Sequence, residues 1–304
     1  MNTGKTFDTT PFCGAHTALV TPFKGEAVAF DELKRLVDFQ IDGGIDGLVA
    51  VGTTGESPTL DHDEHIEVIA KTVEYARKRV PVMAGTGSNS TAEAVELTVR
   101  ADQAGADAFL VVAPYYNKPT QEGQFRHFAK IAECTAKPII LYSIPGRCGV
   151  EIDTDTVVRL REKFPNIVGI KEAGGSCDKV SKLVRALDKD FVVLSGDDGL
   201  TVPFVSLGAR GVISVASNWL PRDIADLVRF ARSGDHASAL RLHNRLADLI
   251  AKMFIESNPA PIKHVLKRAG IISESSLRLP LVELSDRSRP LVDAAMDAYM
   301  AAKA

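Results

Sequence analysis

Short apolar runs alternate with longer amphipathic stretches along most of the chain. Eight runs are rich in Val, Ile and Leu without apolar–polar alternation, at residues 14–20, 47–51, 82–85, 108–113, 138–142, 167–170, 191–194 and 211–215. Such runs are typical of strands buried on both faces of a parallel sheet. The intervening stretches have helical spacing and predict helices at residues 31–40, 61–78, 91–104, 122–135, 154–163, 178–187, 200–207 and 222–231.

A strand followed by a helix, repeated eight times, predicts a (β/α)8 TIM barrel. A doubly wound open sheet is the structural alternative, but it usually has fewer strands and often a glycine-rich first turn. The first turn here is Thr21-Pro22-Phe23, which is not of that type. The predicted helix ends are the N-caps Asp31 and Asp61 and the stop residues Gly43, Gly44 and Gly105.

The pattern changes after residue 231, where helices are predicted at residues 236–255, 260–269 and 291–302 with no strands between them. We therefore divide the chain into a barrel with the catalytic site, residues 1–232, and a C-terminal helical region packed on it, residues 233–304. Such an extension often serves assembly, but its pattern alone does not indicate its function.

The composition of the chain limits which binding partners and which cellular compartment we expect for the protein. The 304 residues include 36 Lys and Arg against 39 Asp and Glu, a net charge of −3, which argues against binding nucleic acid or anionic membranes by bulk charge. The four cysteines form no C-x-x-C pair, so we expect no disulfide framework and a reducing compartment. Residues 1–12 lack the apolar core of a secretory signal, and no apolar run approaches the roughly 20 residues of a bilayer span. We expect a cytoplasmic protein.

In a barrel of this kind the site is built where the strands end. Lys171 directly follows the sixth apolar run, where burial and a cation such as Arg147 would lower its pKa. A partly neutral lysine attacks carbonyl carbon and forms a Schiff base. The alternative is a structural lysine paired with an acidic neighbour.

Three other strand ends carry polar groups that are ambiguous when taken alone. The turn Gly52-Thr53-Thr54-Gly55-Glu56-Ser57 offers hydroxyls and backbone N–H groups to a carboxylate, or is an ordinary capped turn. Tyr115 and Tyr116 can relay protons, although an interface role is favoured from the residues alone. Tyr142 and Arg147 suggest carboxylate binding, or a structural tyrosine with a surface arginine.

The remaining polar clusters suggest structural roles. Asp197 and Asp198 are interpreted as caps of the helix that begins near Leu200. His62 and His65 are three residues apart, with Glu64 between them, and do not form the H-E-x-x-H zinc motif. We interpret this pair as part of a solvated helix face and expect no metal site.

Several of these segments, taken in order, resemble one family. The segments are Gly52-Thr53-Thr54-Gly55-Glu56, Pro114-Tyr115-Tyr116-Asn117, Tyr142 with Pro145-Gly146-Arg147, Gly169-Ile170-Lys171-Glu172, Ser195-Gly196-Asp197-Asp198, Gly211-Val212-Ile213-Ser214 and Asn258-Pro259-Ala260-Pro261-Ile262-Lys263. Together they resemble the dihydrodipicolinate synthase/N-acetylneuraminate lyase family of pyruvate-dependent class I aldolases, from about residue 14 to about residue 269.

The resemblance implies a cofactor-free condensation on a (β/α)8 barrel, assembled as a homotetramer of tight dimers. Lys171 would form a Schiff base with pyruvate, and the enamine would attack L-aspartate 4-semialdehyde before cyclisation, on the diaminopimelate route to lysine. Thr54, Tyr142 and Tyr116 match the proton relay, with Tyr116 supplied by the neighbouring subunit. Arg147 matches the group that holds the semialdehyde carboxylate. The positions that match the surroundings of bound pyruvate are Thr53, Thr54, Gly196 and Ile213.

The resemblance also implies regulation and leaves two alternatives open. The positions that match a feedback site for L-lysine in sensitive relatives are Ser57, His62, His65, Asn89, Glu93 and Tyr115. One alternative is a lyase or aldolase for a 2-keto-3-deoxy sugar acid or N-acetylneuraminate; Thr53 argues against the latter, because sialic-acid lyases tend to have serine there. The other is a non-catalytic barrel that senses an amino acid or keto acid. Cys148 stands where relatives frequently have threonine, and we interpret this difference as neutral.

Overall fold

The computed structural model describes residues 7–303. Residues 1–6 of the predicted barrel region, and with them part of the stretch expected not to be a secretory signal, lie outside the described residues, as does Ala304. The described part of the chain has ten strands: β1 (Gly14–Ala18), β2 (Phe23–Lys24), β3 (Ala27–Val28), β4 (Gly47–Ala50), β5 (Val82–Gly85), β6 (Ala108–Val112), β7 (Ile139–Ser143), β8 (Ile167–Glu172), β9 (Val192–Ser195) and β10 (Gly211–Ser214).

Eight of these strands close into a parallel barrel. Strands β4 to β10 follow one another in chain order, and β1 closes the barrel by pairing with both β4 and β10. The predicted (β/α)8 barrel is therefore confirmed. Where β10 pairs with β1, the two backbones approach closely at Gly211 and Gly14. Only glycine fits at position 211, because a Cβ there would lie 1.8 Å from the carbonyl oxygen of Gly14.

Helices cover the outside of the barrel and form the C-terminal region. They are α1 (Phe30–Asp42), α2 (His62–Ala76), α3 (Thr91–Gln103), α4 (Gln121–Glu133), α5 (Pro145–Cys148), α6 (Thr154–Lys163), α7 (Cys177–Ala186), α8 (Thr201–Ser206), α9 (Pro221–Ser233), α10 (His236–Lys252), α11 (Ala260–Arg268) and α12 (Arg289–Lys303). Within residues 7–303, no helix combines the length and the apolar character needed to cross a membrane.

The predicted helix ends are confirmed in part. Asp61 caps α2, accepting hydrogen bonds from the backbone N–H groups of Asp63 and Glu64. The prediction for Asp31 is wrong: α1 begins at Phe30 after Ala29, and Asp31 lies in the first turn, where it pairs with Lys24 at 3.1 Å.

Two short elements have no counterpart in the predicted pattern. β2 and β3 form an antiparallel hairpin of two residues each, too short to show a period. The four-residue helix α5 begins at Pro145 and continues through Gly146, which resemble loop residues in the sequence. Both elements lie directly after barrel strands, and α5 carries Arg147.

The C-terminal region packs on the barrel and also reaches its strand ends. α10 lies against α9 and α12, and α11 packs on α12. The segment after α11 then runs back over the first part of the chain. There the Ser273 N–H donates to the Glu32 carboxylate at 3.2 Å, and the Arg278 guanidinium binds the Glu64 carboxylate at 2.6 Å.

Candidate active site

Strands β7 and β8 place a tyrosine and a lysine side by side at their carboxyl ends. Tyr142 and Lys171 are register partners, and the Lys171 Nζ lies 4.3 Å from the centre of the Tyr142 ring. Only 5% of Tyr142 and 6% of Lys171 are exposed. The two side chains that sequence analysis singled out at these strand ends are thus in contact.

The Lys171 amine lies where its charged form is disfavoured. Burial lowers the pKa of Lys171 from 10.5 to about 8; the nearby Asp198 carboxylate opposes this change and the Arg147 guanidinium adds to it. The direction is the one expected from the sequence. A nucleophilic amine in this state is suited to attack on a ketone.

Asp198 differs from its interpretation as a helix cap. Asp197 caps only the 3-10 turn at residues 198–200, where its side chain accepts a hydrogen bond from the Gly199 N–H at 2.8 Å, and α8 itself has no side-chain cap among the described residues. Asp198 is buried and instead holds the end of β10: its carboxylate accepts from the Val215 N–H at 2.9 Å and also from the Ser214 hydroxyl. Burial raises the pKa of Asp198.

The two adjacent threonines in the turn after β4 have different neighbours. Thr53 lies beside Tyr142: burial raises the pKa of Tyr142 to about 12, and the Thr53 side chain opposes this rise. The Thr54 hydroxyl is buried and accepts a hydrogen bond from the Asn258 side-chain amide at 2.9 Å. The structure therefore brings Thr53 to Tyr142, whereas the resemblance matched Thr54 to the relay.

The short helix α5 holds Arg147 at the entrance. The Arg147 guanidinium donates to the backbone carbonyl of Asn258 at 3.2 Å. The next residue, Cys148, is buried, and burial raises the pKa of its thiol to about 11. This cysteine is therefore a neutral thiol at ordinary pH.

A cavity of about 230 Å³ lies between these elements. Its lining combines the predicted polar residues with apolar walls, and includes Thr53, Ser57, Leu110, Val112, Tyr115, Tyr142, Ile144, Arg147 and Cys148. Deeper in the barrel, a Cβ on Gly196 would lie 3.0 Å from the Lys171 Cε, so glycine leaves room beside the amine. Ile213 is buried in the apolar cluster inside the barrel, together with Tyr142 and Leu194.

The C-terminal region contributes residues to which sequence analysis assigned no role. Asn258 joins the Thr54 turn to Arg147 through the two hydrogen bonds described above. Lys263 and Glu56 form a fully buried ion pair behind the same turn. The Glu56 carboxylate also accepts from the Arg278 N–H at 3.1 Å. The only signal in the sequence was the motif at residues 258–263, which supported the resemblance.

Glu56 needs this support because its backbone is left-handed. Its φ of 57° is uncommon for a residue with a side chain. The buried pair with Lys263, whose Nζ also lies 4.1 Å from the centre of the Phe23 ring, fixes the turn in that conformation.

The six residues matched to a lysine site fall into two neighbouring groups. Ser57 and Tyr115 line the cavity. His62 lies on α2, with its Nε2 2.8 Å from the Glu93 carboxylate, which also accepts from the Ser88 hydroxyl.

The other two residues of this set lie close by. The Asn89 backbone carbonyl accepts a hydrogen bond from the Asn117 side chain at 2.9 Å. His65 corrects the prediction of a solvated helix face, because it is only 2% exposed and its Nε2 lies 2.8 Å from the Gly85 carbonyl oxygen. The α2 face is buried there against the end of β5.

Tyr116 differs from the other predicted catalytic residues. Its side chain is 87% exposed and its φ is 73°, so the loop holds it outward in a left-handed conformation. Tyr115, not Tyr116, lines the cavity of the same chain.

Comparison with known proteins gives a consistent result. A sequence model described as the dihydrodipicolinate synthetase family matches residues 11–299. A relative from Syntrophus aciditrophicus named 4-hydroxy-tetrahydrodipicolinate synthase is 50% identical over 95% of this chain and 98% of its own length.

Solved structures agree with the sequence comparison. The structure of 4-hydroxy-tetrahydrodipicolinate synthase from Methylacidiphilum fumariolicum SolV is similar with a TM-score of 0.94 and 50% identity, covering 95% of this chain and 96% of that one. A dihydrodipicolinate synthase from Cyanidioschyzon merolae with lysine bound has a TM-score of 0.92 and 38% identity, covering 95% and 99% of the two chains.

Proposed function

The chain belongs to the dihydrodipicolinate synthetase family, and on that premise we propose that it condenses pyruvate with L-aspartate 4-semialdehyde at the site described above. It is a class I, Schiff-base lyase and acts as a 4-hydroxy-tetrahydrodipicolinate synthase in the diaminopimelate route to lysine. The observation that carries the assignment of the site is the buried Lys171 amine in contact with Tyr142.

Lys171 supplies the nucleophile. Its neutral amine attacks the ketone carbon of pyruvate, and loss of water leaves an iminium that draws electrons from the adjacent methyl group. Loss of a methyl proton gives an enamine, whose carbon attacks the aldehyde. The amine of the semialdehyde then adds to the iminium carbon and displaces Lys171, which closes the ring and frees the enzyme.

The proton transfers of this sequence fall to a hydroxyl relay. We assign it to Thr53, Tyr142 and Tyr116, with Thr53 in place of Thr54 because Thr53, unlike Thr54, lines the cavity together with Tyr142 and opposes the rise of the Tyr142 pKa. Hydroxyls can both donate and accept, so protons pass along such a chain. Thr54 helps to hold the turn.

Arg147 and the neighbouring subunit complete the proposed site. The guanidinium, fixed by the Asn258 carbonyl, binds the carboxylate of the semialdehyde. Tyr116 enters the cavity of a second copy, which its exposed position supports, and the proposed assembly is a homotetramer of tight dimers. We place the reaction in the cytoplasm, in keeping with four free cysteines.

We further propose that L-lysine binds beside this site and inhibits the enzyme. The Glu93 carboxylate, with His62 and Ser88 around it, offers a counter-ion to an ammonium group. Ser57 and Tyr115 connect this position to the cavity, and the similar protein from Cyanidioschyzon merolae has lysine bound.

The decisive experiment is a coupled assay with pyruvate, L-aspartate 4-semialdehyde and an excess of the next reductase with NADPH. We expect NADPH loss that depends on both substrates, and borohydride with pyruvate should add mass to the Lys171 peptide. Lys171→Met should abolish both signals, whereas Lys130→Met, on the exposed face of α4, should change neither. Pyruvate trapping without turnover would point to a sugar-acid aldehyde; no trapping would refute the proposal.

A further inference from the structure

A buried lysine outside the proposed reaction, Lys179 on α7, lies behind the strand ends that carry Tyr142 and Lys171. It is only 8% exposed, although no step of the proposed reaction uses it. Its Nζ lies 3.2 Å from the Ser143 Oγ, 2.9 Å from a Glu172 carboxylate oxygen and 2.9 Å from a Glu151 carboxylate oxygen. An ammonium group has three N–H donors, so the three acceptors match its capacity.

Two of these partners are the next residues in the chain after Tyr142 and Lys171, the two residues of the proposed reaction. Ser143 follows Tyr142 at the end of β7, and Glu172 follows Lys171 at the end of β8. The strands pair Tyr142 with Lys171 and Ser143 with Glu172. Because successive side chains on a strand point to opposite faces, Ser143 and Glu172 face the helix layer while the other pair faces the barrel interior.

Glu172 depends on this lysine for its charge. Its side chain is fully buried; burial raises the pKa of its carboxyl group, and Lys179 is the first of the groups that oppose this effect. The carboxylate also accepts a hydrogen bond from the Gly174 N–H at 2.6 Å. A buried ionised carboxylate is tolerated only when it is paired, so the end of β8 is held to Lys179.

The loop after β8 is shaped around the same cluster. A Cβ on Gly174 would lie 2.6 Å from one Glu172 carboxylate oxygen and 3.2 Å from one of Glu151. Glycine at this position therefore lets the loop close over the three charged side chains.

We propose that Lys179 is a positioning residue for the reaction: it fastens the ends of β7 and β8 together from outside the barrel and so fixes Lys171 against Tyr142. The proposal rests on the proposed role of Lys171. It concerns a residue that touches neither substrate nor the reacting atoms.

Removal of the ammonium group should have two consequences at the reacting amine. The strand ends lose their common partner, so the contact between Lys171 and Tyr142 loosens and water reaches the amine. The charged or titratable groups around Lys171 are Tyr142 from β7, Arg147 from α5 and Asp198 after β9, and none of them contacts Lys179. Loss of the Lys179 charge alone would shift the titration of Lys171 in the same direction, so the uncharged change Ser143→Ala, described below, distinguishes hydration from charge.

The test compares three variants of the full-length protein. Lys179→Met keeps the stem and removes the charge, and Lys179→Arg keeps a cation. Lys182→Met is the matched control, because Lys182 lies on the same helix, is exposed and, among residues 7–303, pairs only with Asp178, at 2.7 Å. The measurements are kcat in the coupled assay, the pH midpoint of borohydride trapping of pyruvate on Lys171, and the thermal midpoint.

We expect Lys179→Met to lower kcat by about 10- to 100-fold, the range that a misplaced reacting group produces. It should also raise the pH midpoint of trapping toward that of an ordinary lysine. Lys179→Arg should keep kcat and the trapping midpoint close to their wild-type values, and Lys182→Met should match the wild type in both measurements.

Three results would overturn the proposal. One is a Lys179→Met variant that is indistinguishable from Lys182→Met. The second is a variant that loses thermal stability but keeps the wild-type trapping midpoint, which indicates a structural role alone. Ser143→Ala removes one acceptor and no charge, and it should shift the trapping midpoint in the same direction by less, whether or not Lys179→Met folds. An unchanged midpoint in Ser143→Ala is the third result. A wild-type protein that traps no pyruvate would refute the proposed function instead.

Discussion

The pH dependence of imine formation at Lys171 is the sharpest prediction of the site. Burial lowers the pKa of Lys171 from 10.5 to about 8, which means that the site destabilises the ammonium form relative to the neutral amine by about 3 kcal/mol. At pH 7 about a tenth of such amines are neutral, against about one in 3,000 for an ordinary lysine. Burial therefore increases the reactive form by about 300-fold.

The perturbation is the pH itself, combined with Arg147→Met. Trapping of pyruvate on Lys171, followed by mass spectrometry of the peptide, should rise with pH to a midpoint near 8. The Arg147 cation disfavours a second positive charge, so its removal raises the pKa of Lys171 and moves the midpoint upward. The movement should be small, since burial is the largest cause of the shift. A wild-type midpoint near 10.5, or a downward movement in Arg147→Met, would refute this reasoning.

Three further predictions follow from contacts around the cavity. Glu56→Gln and Lys263→Met should each lower the free energy of unfolding, measured in urea, by about 3 to 5 kcal/mol, because each leaves a buried charge unpaired. The double variant should lose less than the sum of the two single variants, and additive losses would contradict the pairing. Thr53→Val should lower kcat by about 10²- to 10⁴-fold as a relay residue, whereas Thr54→Val should mainly lower the thermal midpoint; equal losses of kcat would contradict our assignment. Glu93→Gln should raise the L-lysine concentration for half-inhibition by about tenfold, the effect of losing a charged partner; the same inhibition curve as the wild type would show that Glu93 does not bind the ligand.

Local pattern was enough to predict the barrel, because a strand buried on both faces produces an unbroken apolar run. The run at 167–170 led directly to Lys171, and its place at a strand end was enough to predict burial and a lowered pKa. β2 and β3 were not predictable in this way, since two residues carry no period. The same holds for α5, where proline and glycine resemble a loop.

The details of the site depend on contacts that pattern does not encode. Thr53 and Thr54 are chemically alike, and only the direction of the turn decides which one meets Tyr142. The spacing of His62 and His65 lacks a metal motif and favours a solvated helix face, yet the end of β5 covers His65. Asn258 and Lys263 lie in a C-terminal segment whose pattern indicates no function, and their partners lie far away along the chain.

The contact between Thr54 and Asn258 spans 204 positions, and this separation affects how the protein is made. At a ribosomal rate of 5–20 residues per second, roughly 10 to 40 s pass between the synthesis of the two residues. During that interval Glu56 has no counter-ion, and the turn that carries Thr53 lacks both of its C-terminal partners. By the end of this interval all eight barrel strands have been synthesised, but the site that they carry is still unfinished. The nascent chain therefore acquires its catalytic turn in one of the last steps of folding, after all eight barrel strands have been synthesised.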